Sequence, residues 1–330
     1  MESKMTLRAR FGRFVTAAGI LAAMSVVAML SGCKRDPIVY ATSDYYMEIA
    51  FGEGEKWNLS TPDLPRMWAV GSYVDGKQSY EMFLTPSQHP SGMPFGGYLV
   101  GLSAGPQTIL AYNYDVNTLH FDMTSNLEKF RVYTDVLDYS NGVAVVSAPS
   151  PLYAYRETRT IPFITEGEGT YMIKAVMTEE TQTWTVIVRG VRATQNIATV
   201  DFFLSGQQRG YFLGKDEEWD ERAILYFTGH LVDASWSTRA EGDQEIVAEY
   251  STFGRQSSID RALLTVRITG TNGYQYFIQK DVTEIVADPA GEGYTIYVDG
   301  SEVEVAEKKD GGFDPNAEEW QPDVTEITLQ

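Results

Sequence analysis

The stretch Leu264-Thr265-Val266-Arg267-Ile268-Thr269 alternates apolar and polar side chains. It runs into Asn272-Gly273, and Tyr274-Gln275-Tyr276-Phe277-Ile278 then resumes the same texture. A period of two places successive side chains on opposite faces of a pleated strand, and Asn-Gly suits a tight turn that needs positive φ. The pattern therefore specifies a β-hairpin with one buried face. The device recurs at Asp75-Gly76, which follows Met67 to Val74, and at Asp299-Gly300, between Tyr294–Val298 and Ser301–Val305. No stretch holds a 3.6-residue apolar period long enough for a substantial helix, so the chain is expected to be all-β.

Further strand-like runs are Tyr45 to Phe51, Gln107 to Asn113 and Phe130 to Val136, all rich in aromatic and branched residues. Between Ser147 and Gly169 the texture changes. Pro149, Pro151, Pro162 and Glu166-Gly167-Glu168-Gly169 read as a turn-rich junction. Tyr171 to Met177 and Thr183 to Arg189 then flank the polar turn Thr178 to Gln182. Ala193 to Leu204 is ambiguous and fits a short helix covering a sheet. In the last run, Thr325, Ile327 and Leu329 share one face and Glu326, Thr328 and Gln330 the other, as in a half-buried terminal strand.

The N-terminus is a different kind of signal. Phe14 to Leu30 is uncharged and apolar, and Lys4, Arg8, Arg10 and Arg13 precede it. At 17 residues it is shorter than the ~20 a spanning helix needs. Leu30-Ser31-Gly32-Cys33 closes it and resembles the lipobox of bacterial lipoproteins, in which cleavage precedes the cysteine and the thiol is acylated. Residues 1–32 are therefore expected to be a removed signal peptide, and Cys33 the lipidation site that holds the protein at a membrane. The lone cysteine leaves no disulfide and no thiolate metal site. Residues 33–40 read as a lipidated tether. The basic and acidic pair Arg35-Asp36 faintly resembles a surface-export signal, so the outer membrane and the cell surface are the expected location.

Charge excludes some partners. The full chain carries 26 basic and 45 acidic residues. Without its first 33 residues, 22 basic face 44 acidic, a formal −22. Such a surface repels phosphate backbones, so no nucleic-acid partner is expected, and membrane contact should run through the lipid alone. The ~297 remaining residues exceed one usual core. They divide into an N-terminal β-sandwich at 41–155, the junction at 156–168 and a C-terminal β-sandwich at 169–330.

No catalytic site emerges, and the chain reads as a non-enzyme without cofactor or metal. Gly101-Leu102-Ser103-Ala104-Gly105 matches the nucleophile elbow of hydrolases, but that elbow needs a helix after the serine, and Pro106 leads into a strand instead. His89, His120 and His230 lack the paired spacing of zinc ligands. Asp310, Asp314, Asn316, Glu318 and Glu319 gather around Gly311-Gly312 without the order of a calcium-binding loop. Aromatics make 12% of the chain, with Tyr45, Tyr46, Tyr112, Tyr114, Trp57, Trp219 and Trp236 prominent. Strand filling accounts for most of them. Exposed rings would instead suit a glycan partner, and a surface glycan-binding lipoprotein is the alternative reading.

Several stretches together resemble the FimB-type fimbrial anchor and accessory lipoproteins and the surface lipoproteins related to them. They are Leu102-Ser103-Ala104-Gly105 running into Ile109-Leu110-Ala111-Tyr112-Asn113, then Phe203-Leu204-Ser205-Gly206, the strand Leu263 to Ile268, and Asp281-Val282-Thr283. The ending Gly311-Gly312-Phe313-Asp314 to Trp320 completes the set. The resemblance implies two tandem transthyretin-like β-sandwich domains after a lipoprotein signal peptide. It also implies a role in a fimbria assembled by strand exchange, with fimbrial subunits as partners. It carries no enzymatic activity, and among functional residues only Cys33 maps.

Overall fold

The structure, a computed structural model, describes residues 45–51, 65–85, 95–165, 169–233, 244–287 and 294–307. Cys33, the segments 1–32 and 33–40, Trp57, His89, Trp236, the acidic cluster at 310–319 and the terminal run 324–330 lie outside these residues. In chain order the strands begin with β1 (Tyr45–Phe51), β2 (Trp68–Val74), β3 (Lys77–Leu84), β4 (Gly96–Tyr98), β5 (Gly105–Asn113), β6 (His120–Asp122) and β7 (Arg131–Tyr133). Next come β8 (Val136–Ser140), β9 (Val143–Ser147), β10 (Tyr153–Ile161), β11 (Tyr171–Glu179), β12 (Gln182–Arg189), β13 (Ile197–Gln208) and β14 (Gly210–Phe212). The series ends with β15 (Glu217–Glu218), β16 (Arg222–Asp233), β17 (Gln244–Thr252), β18 (Leu263–Gly270), β19 (Gln275–Asp281) and β20 (Thr295–Asp299). The helix Thr283–Ala287 adds a single turn or so. The protein is all-β, as its patterning dictates, with two curled sheets that form tandem β-sandwiches.

The first sheet runs β3-β2-β5-β10-β11-β1-β4. It curls because β11 changes partner along its length: Tyr171 to Met177 pair in parallel with β1, and Thr178 and Glu179 pair with β10. The curl wraps Met47, Ile49, Trp68, Val70, Ile109, Ala111, Ile173 and Ala175 around one core. Burying a large apolar side chain there is worth roughly 1.5–3 kcal/mol. β1 is buried along nearly all its length, enclosed between β11 and the three residues of β4.

The second sheet runs β19-β18-β13-β16-β17-β12-β20, with the β8–β9 hairpin attached to β16. Here β16 makes the corner. Ala223 to Tyr226 pair in parallel with β9, while His230 to Asp233 pair with β17. The two halves close over Val186, Phe202, Leu204, Phe227, Ala248, Tyr250, Val266 and Ile268. Phe227 stacks between Phe202 at 5.2 Å and Tyr250 at 4.2 Å, ring centre to ring centre.

A small sheet, β15-β14-β7-β6, joins segments that are distant in sequence. Phe130, Val132, Leu127 and Leu213 from this region pack against Ala69, Leu110, Tyr112 and Ala154, on the face of the first sheet opposite its main core.

Several local expectations are corrected. Tyr171–Met177 and Thr183–Arg189 do not pair across the turn between them, because β11 completes the first sheet and β12 joins the second. The chain enters the second sheet first in β8–β9, returns to the first in β10 and β11, and makes its last crossing at Glu180-Thr181, whereas residues 156–161 continue β10. The Ala193–Leu204 stretch is a 3₁₀ turn at Thr194–Asn196 followed by β13, whose alternating apolar side chains reach both faces. Ser301 to Val305 does not return beside β20. Asp299 Oδ1 accepts the Ser301 N–H, the chain turns, and Glu304 bridges Arg192 instead. At Asn272-Gly273 only the glycine has positive φ, whereas at Asp75-Gly76 both residues do. The longer turn from Gly270 to Tyr274 relaxes that requirement, with the Gly270 N–H donating to the Tyr274 carbonyl.

Candidate ligand groove and interaction surfaces

The outer face of the second sheet carries a groove of about 560 Å³. Its origin is the double apolar character of β13. Phe202 points into the core, so the pleat turns its neighbours Asp201 and Phe203 outward. In register, Phe203 stands between Tyr226 of β16 and Thr265 of β18, while Arg267 stands between Asp201 and Phe277 of β19. Rings and polar groups thus alternate across one exposed face.

The floor is held by a tight polar network. Asp201 Oδ2 accepts Arg267 Nε–H at 3.1 Å and Nη2–H at 2.9 Å, and its Oδ1 accepts the Tyr226 hydroxyl at 2.9 Å. Burial, followed by the hydrogen bond to Asp201, raises the Tyr226 pKa, which keeps its proton on oxygen as the donor. The Arg267 guanidinium also lies 5.1 Å from the centre of the Phe203 ring. Fixed in this way, the charged pair is a preformed set of hydrogen-bonding edges. Phe277 and Leu137 line the groove at 48% and 53% exposure. Thr265, also lining it, is 2% exposed, and its hydroxyl has no hydrogen-bond partner. A second hollow of about 480 Å³ takes the next outward residues of the same strands, including Val143, Ser205, Ile224 and Leu263.

A third hollow, of about 320 Å³, lies where the chain crosses between the sheets. Glu180 sits there beside Asp216, which pairs with Arg156 at 3.1 Å and accepts the Tyr211 hydroxyl. Burial first, and the negative charge of Asp216 second, push the Glu180 carboxyl up to about 7.

The residues singled out from sequence are scattered. Ser103 precedes β5, which is a strand and not the helix an elbow requires, and its carbonyl accepts the Gln107 side chain at 2.7 Å. His120 contacts Asp135 at 2.7 Å, and His230 lies on β16, remote in sequence pairing from it. Among the described residues no group of three acidic, histidine or cysteine side chains is placed to hold a metal. Tyr45, Tyr46 and Tyr112 are core residues. Trp219 packs under Arg131 at 4.6 Å and Arg209 at 5.4 Å. The groove residues Phe203, Tyr226 and Phe277 were not singled out. Their only sequence signal is an aromatic at an outward position of an alternating strand.

No family model matches the chain, and no curated protein does. Solved structures do. A candidate adhesin from Bacteroides ovatus is 17% identical and superposes with a TM-score of 0.51, covering 77% of this chain and 92% of that one. A candidate adhesin from Bacteroides thetaiotaomicron is 14% identical, with a TM-score of 0.49 over 71% of this chain and 79% of that one. The fimbrial anchor protein Mfa2 from Porphyromonas gingivalis is 16% identical, with a TM-score of 0.44 over 74% of this chain and 83% of that one. What the first likeness establishes is a shared fold.

Proposed function

We propose that this protein is a non-enzymatic adhesion protein of the cell surface, held at the outer membrane by lipid on Cys33. In this reading it serves as an anchor or accessory subunit of a fimbria assembled by strand exchange. The observation that carries the reading is the fold shared over 92% of the Bacteroides ovatus candidate adhesin, an extent that takes in both sandwiches. The lipobox and the resemblance to fimbrial accessory lipoproteins support the attachment and the partner. The N-terminal sandwich stands nearest the tether. The C-terminal one presents a sheet edge, or the alternating run 324–330, to the next subunit, where main-chain groups give affinity and side-chain pockets give register.

Isolated surface fimbriae test the partner, since the protein should co-purify with them, and a deletion of residues 324–330 should abolish that while the protein stays folded. Labelled palmitate tests the anchor. Cys33→Ala should lose the label and leave the membrane fraction. A Cys33→Ala protein that still takes up palmitate removes the lipid claim, and fimbriae purified without the protein remove the partner claim.

A second reading, glycan binding through exposed aromatics, is favoured by one observation, the ring-lined groove on the outer face of the second sheet. The two readings are compatible, because one concerns attachment and the other concerns what the surface touches.

A further inference from the structure

We propose that the groove of Phe203, Tyr226, Arg267 and Phe277 is a binding site for neutral pyranose oligosaccharides, which rests on the glycan reading and gives it a location and a ligand class. The ligand class follows from what the groove offers. It lies on the face of a sheet, where the main-chain groups of β13, β16 and β18 are already paired with their neighbours. An extended peptide could add only at β8 and β19, the edge strands that flank the groove, and over the floor between them it finds no ladder to join. An occupant of that floor must be held by side chains.

Those side chains come in two kinds. Phe277 and Leu137 supply exposed apolar surface, with the Phe203 and Tyr226 rings 5.5 Å apart between the flanking strands. Arg267, Gln275 and Asp138 supply donors and acceptors. A ligand that lays apolar C–H faces on rings and carries a fringe of hydroxyls uses both kinds, and a pyranose is that ligand. A purely aliphatic chain would leave these polar groups desolvated and unpaired, which costs more than its burial returns.

Charge narrows the class further. Asp201 neutralises Arg267 in the groove floor, so no free cation remains there for an acidic sugar. The −22 of residues 34–330 opposes anions from a distance. The volume, about 560 Å³, lies within the range of small-molecule sites, ~300–1,000 Å³.

The test uses the folded protein from residue 34 to 330 and a panel of maltotriose, cellotriose, mannotriose and chitotriose, read by titration calorimetry. Saturable binding to at least one is expected. Phe277→Ala should weaken it about tenfold, as loss of one ring platform does, and Phe277→Trp should restore it. Tyr274→Ala, which removes an exposed ring in the turn beyond the groove, should leave it unchanged. Binding that survives both Phe277→Ala and Arg267→Ala overturns the groove while the glycan reading stands. Failure of every trisaccharide to bind overturns both and leaves the fimbrial reading untouched. Tighter binding of sialylated than of neutral sugars overturns the charge argument. If a chain ending at residue 307 binds where the full chain does not, the groove is occupied by the protein's own tail and the proposal falls for the intact protein.

Discussion

Tyr45 and Tyr171 face each other across a parallel strand pair, with ring centres 6.4 Å apart and ring planes at 77°. The pair ties the first described strand to one that follows the proline-rich segment, so neither the stretch before that segment nor the stretch after it holds a complete sandwich. Residues 41–155 lack β11, the strand that pairs with β1. Residues 169–330 lack the β8–β9 hairpin, whose Ala144 and Val146 sit in the second core.

Fragments therefore test the interlock. Expressed alone, 41–155 and 169–330 are each expected to give poorly dispersed NMR spectra and no cooperative urea transition, because each exposes an unpaired strand and an open core. Mixing the two should restore neither, since β10 is itself cut between them. A fragment that unfolds cooperatively by itself would show that its sheet tolerates the missing partner.

Much of this fold was legible. Alternation located β18 and β19, because an antiparallel strand with one buried face must alternate, whereas β2 and β5, buried on both faces for most of their length, showed in their aromatic and branched content. Asp75-Gly76 read as a tight turn because both residues need left-handed backbone there. The Asn141-Gly142 turn between β8 and β9 has the same backbone, with both residues at positive φ. What alternation could not supply is partnership. The parallel pairs β1–β11, β9–β16 and β12–β20 join strands far apart in sequence, and no local signal encodes them. The groove was hidden for a related reason. Phe202 and Phe203 are adjacent and equally apolar, and only the packed sheet decides which of them is core.

Gly96 fixes the edge beside β1. A Cβ there would stand 1.7 Å from the Met47 carbonyl oxygen, a main-chain atom with no room to give way, and φ is +155°. Gly96→Ala should therefore force β4 off β1, breaking the bonds from Ile49 N–H to the Phe95 carbonyl and from Leu99 N–H to the Tyr45 carbonyl. The expected loss is about 2–3 kcal/mol, seen as a lower urea midpoint, with faster hydrogen exchange concentrated in β1. Unchanged exchange at Ile49 would mean that β4 does not guard this edge.

Asp201 and Arg267 make an internal prediction for the second sheet. Both carboxylate oxygens are occupied, so Asp201→Ala leaves the guanidinium over Phe203 without its counter-charge and the Tyr226 hydroxyl without its acceptor. A loss of about 2 kcal/mol is expected, while Asp201→Asn, whose amide oxygen keeps an acceptor for one of the two donors, should lose less. Equal losses for the two variants would show that charge, and not hydrogen bonding, sets the contribution.

Glu180 links stability to pH at the crossing between the sheets. Its carboxyl is pushed from 4.5 to about 7, by burial first and by Asp216 second. A carboxyl raised in this way holds its proton in the folded state over a range in which the unfolded chain has released it. By linkage, its contribution to stability is highest below pH 4.5, falls as pH rises through the window from 4.5 to about 7, and stays at its lowest above that. Arg156 works in the opposite direction but is shared with Asp216, so it does not cancel the shift. Glu180→Gln keeps the shape and removes the ionisation. Because Glu180 is only partly buried, screening by solvent trims the effect to about 1 kcal/mol, which corresponds to roughly 2–4 °C. The variant should melt that much higher than the parent at pH 8, with the gap shrinking steadily toward pH 4.5. The decisive quantity is the slope of that difference between pH 4.5 and 8, since a constant offset would report only a changed hydrogen bond to Tyr211. A slope of zero would show that Glu180 ionises in the folded protein as it does in the unfolded chain.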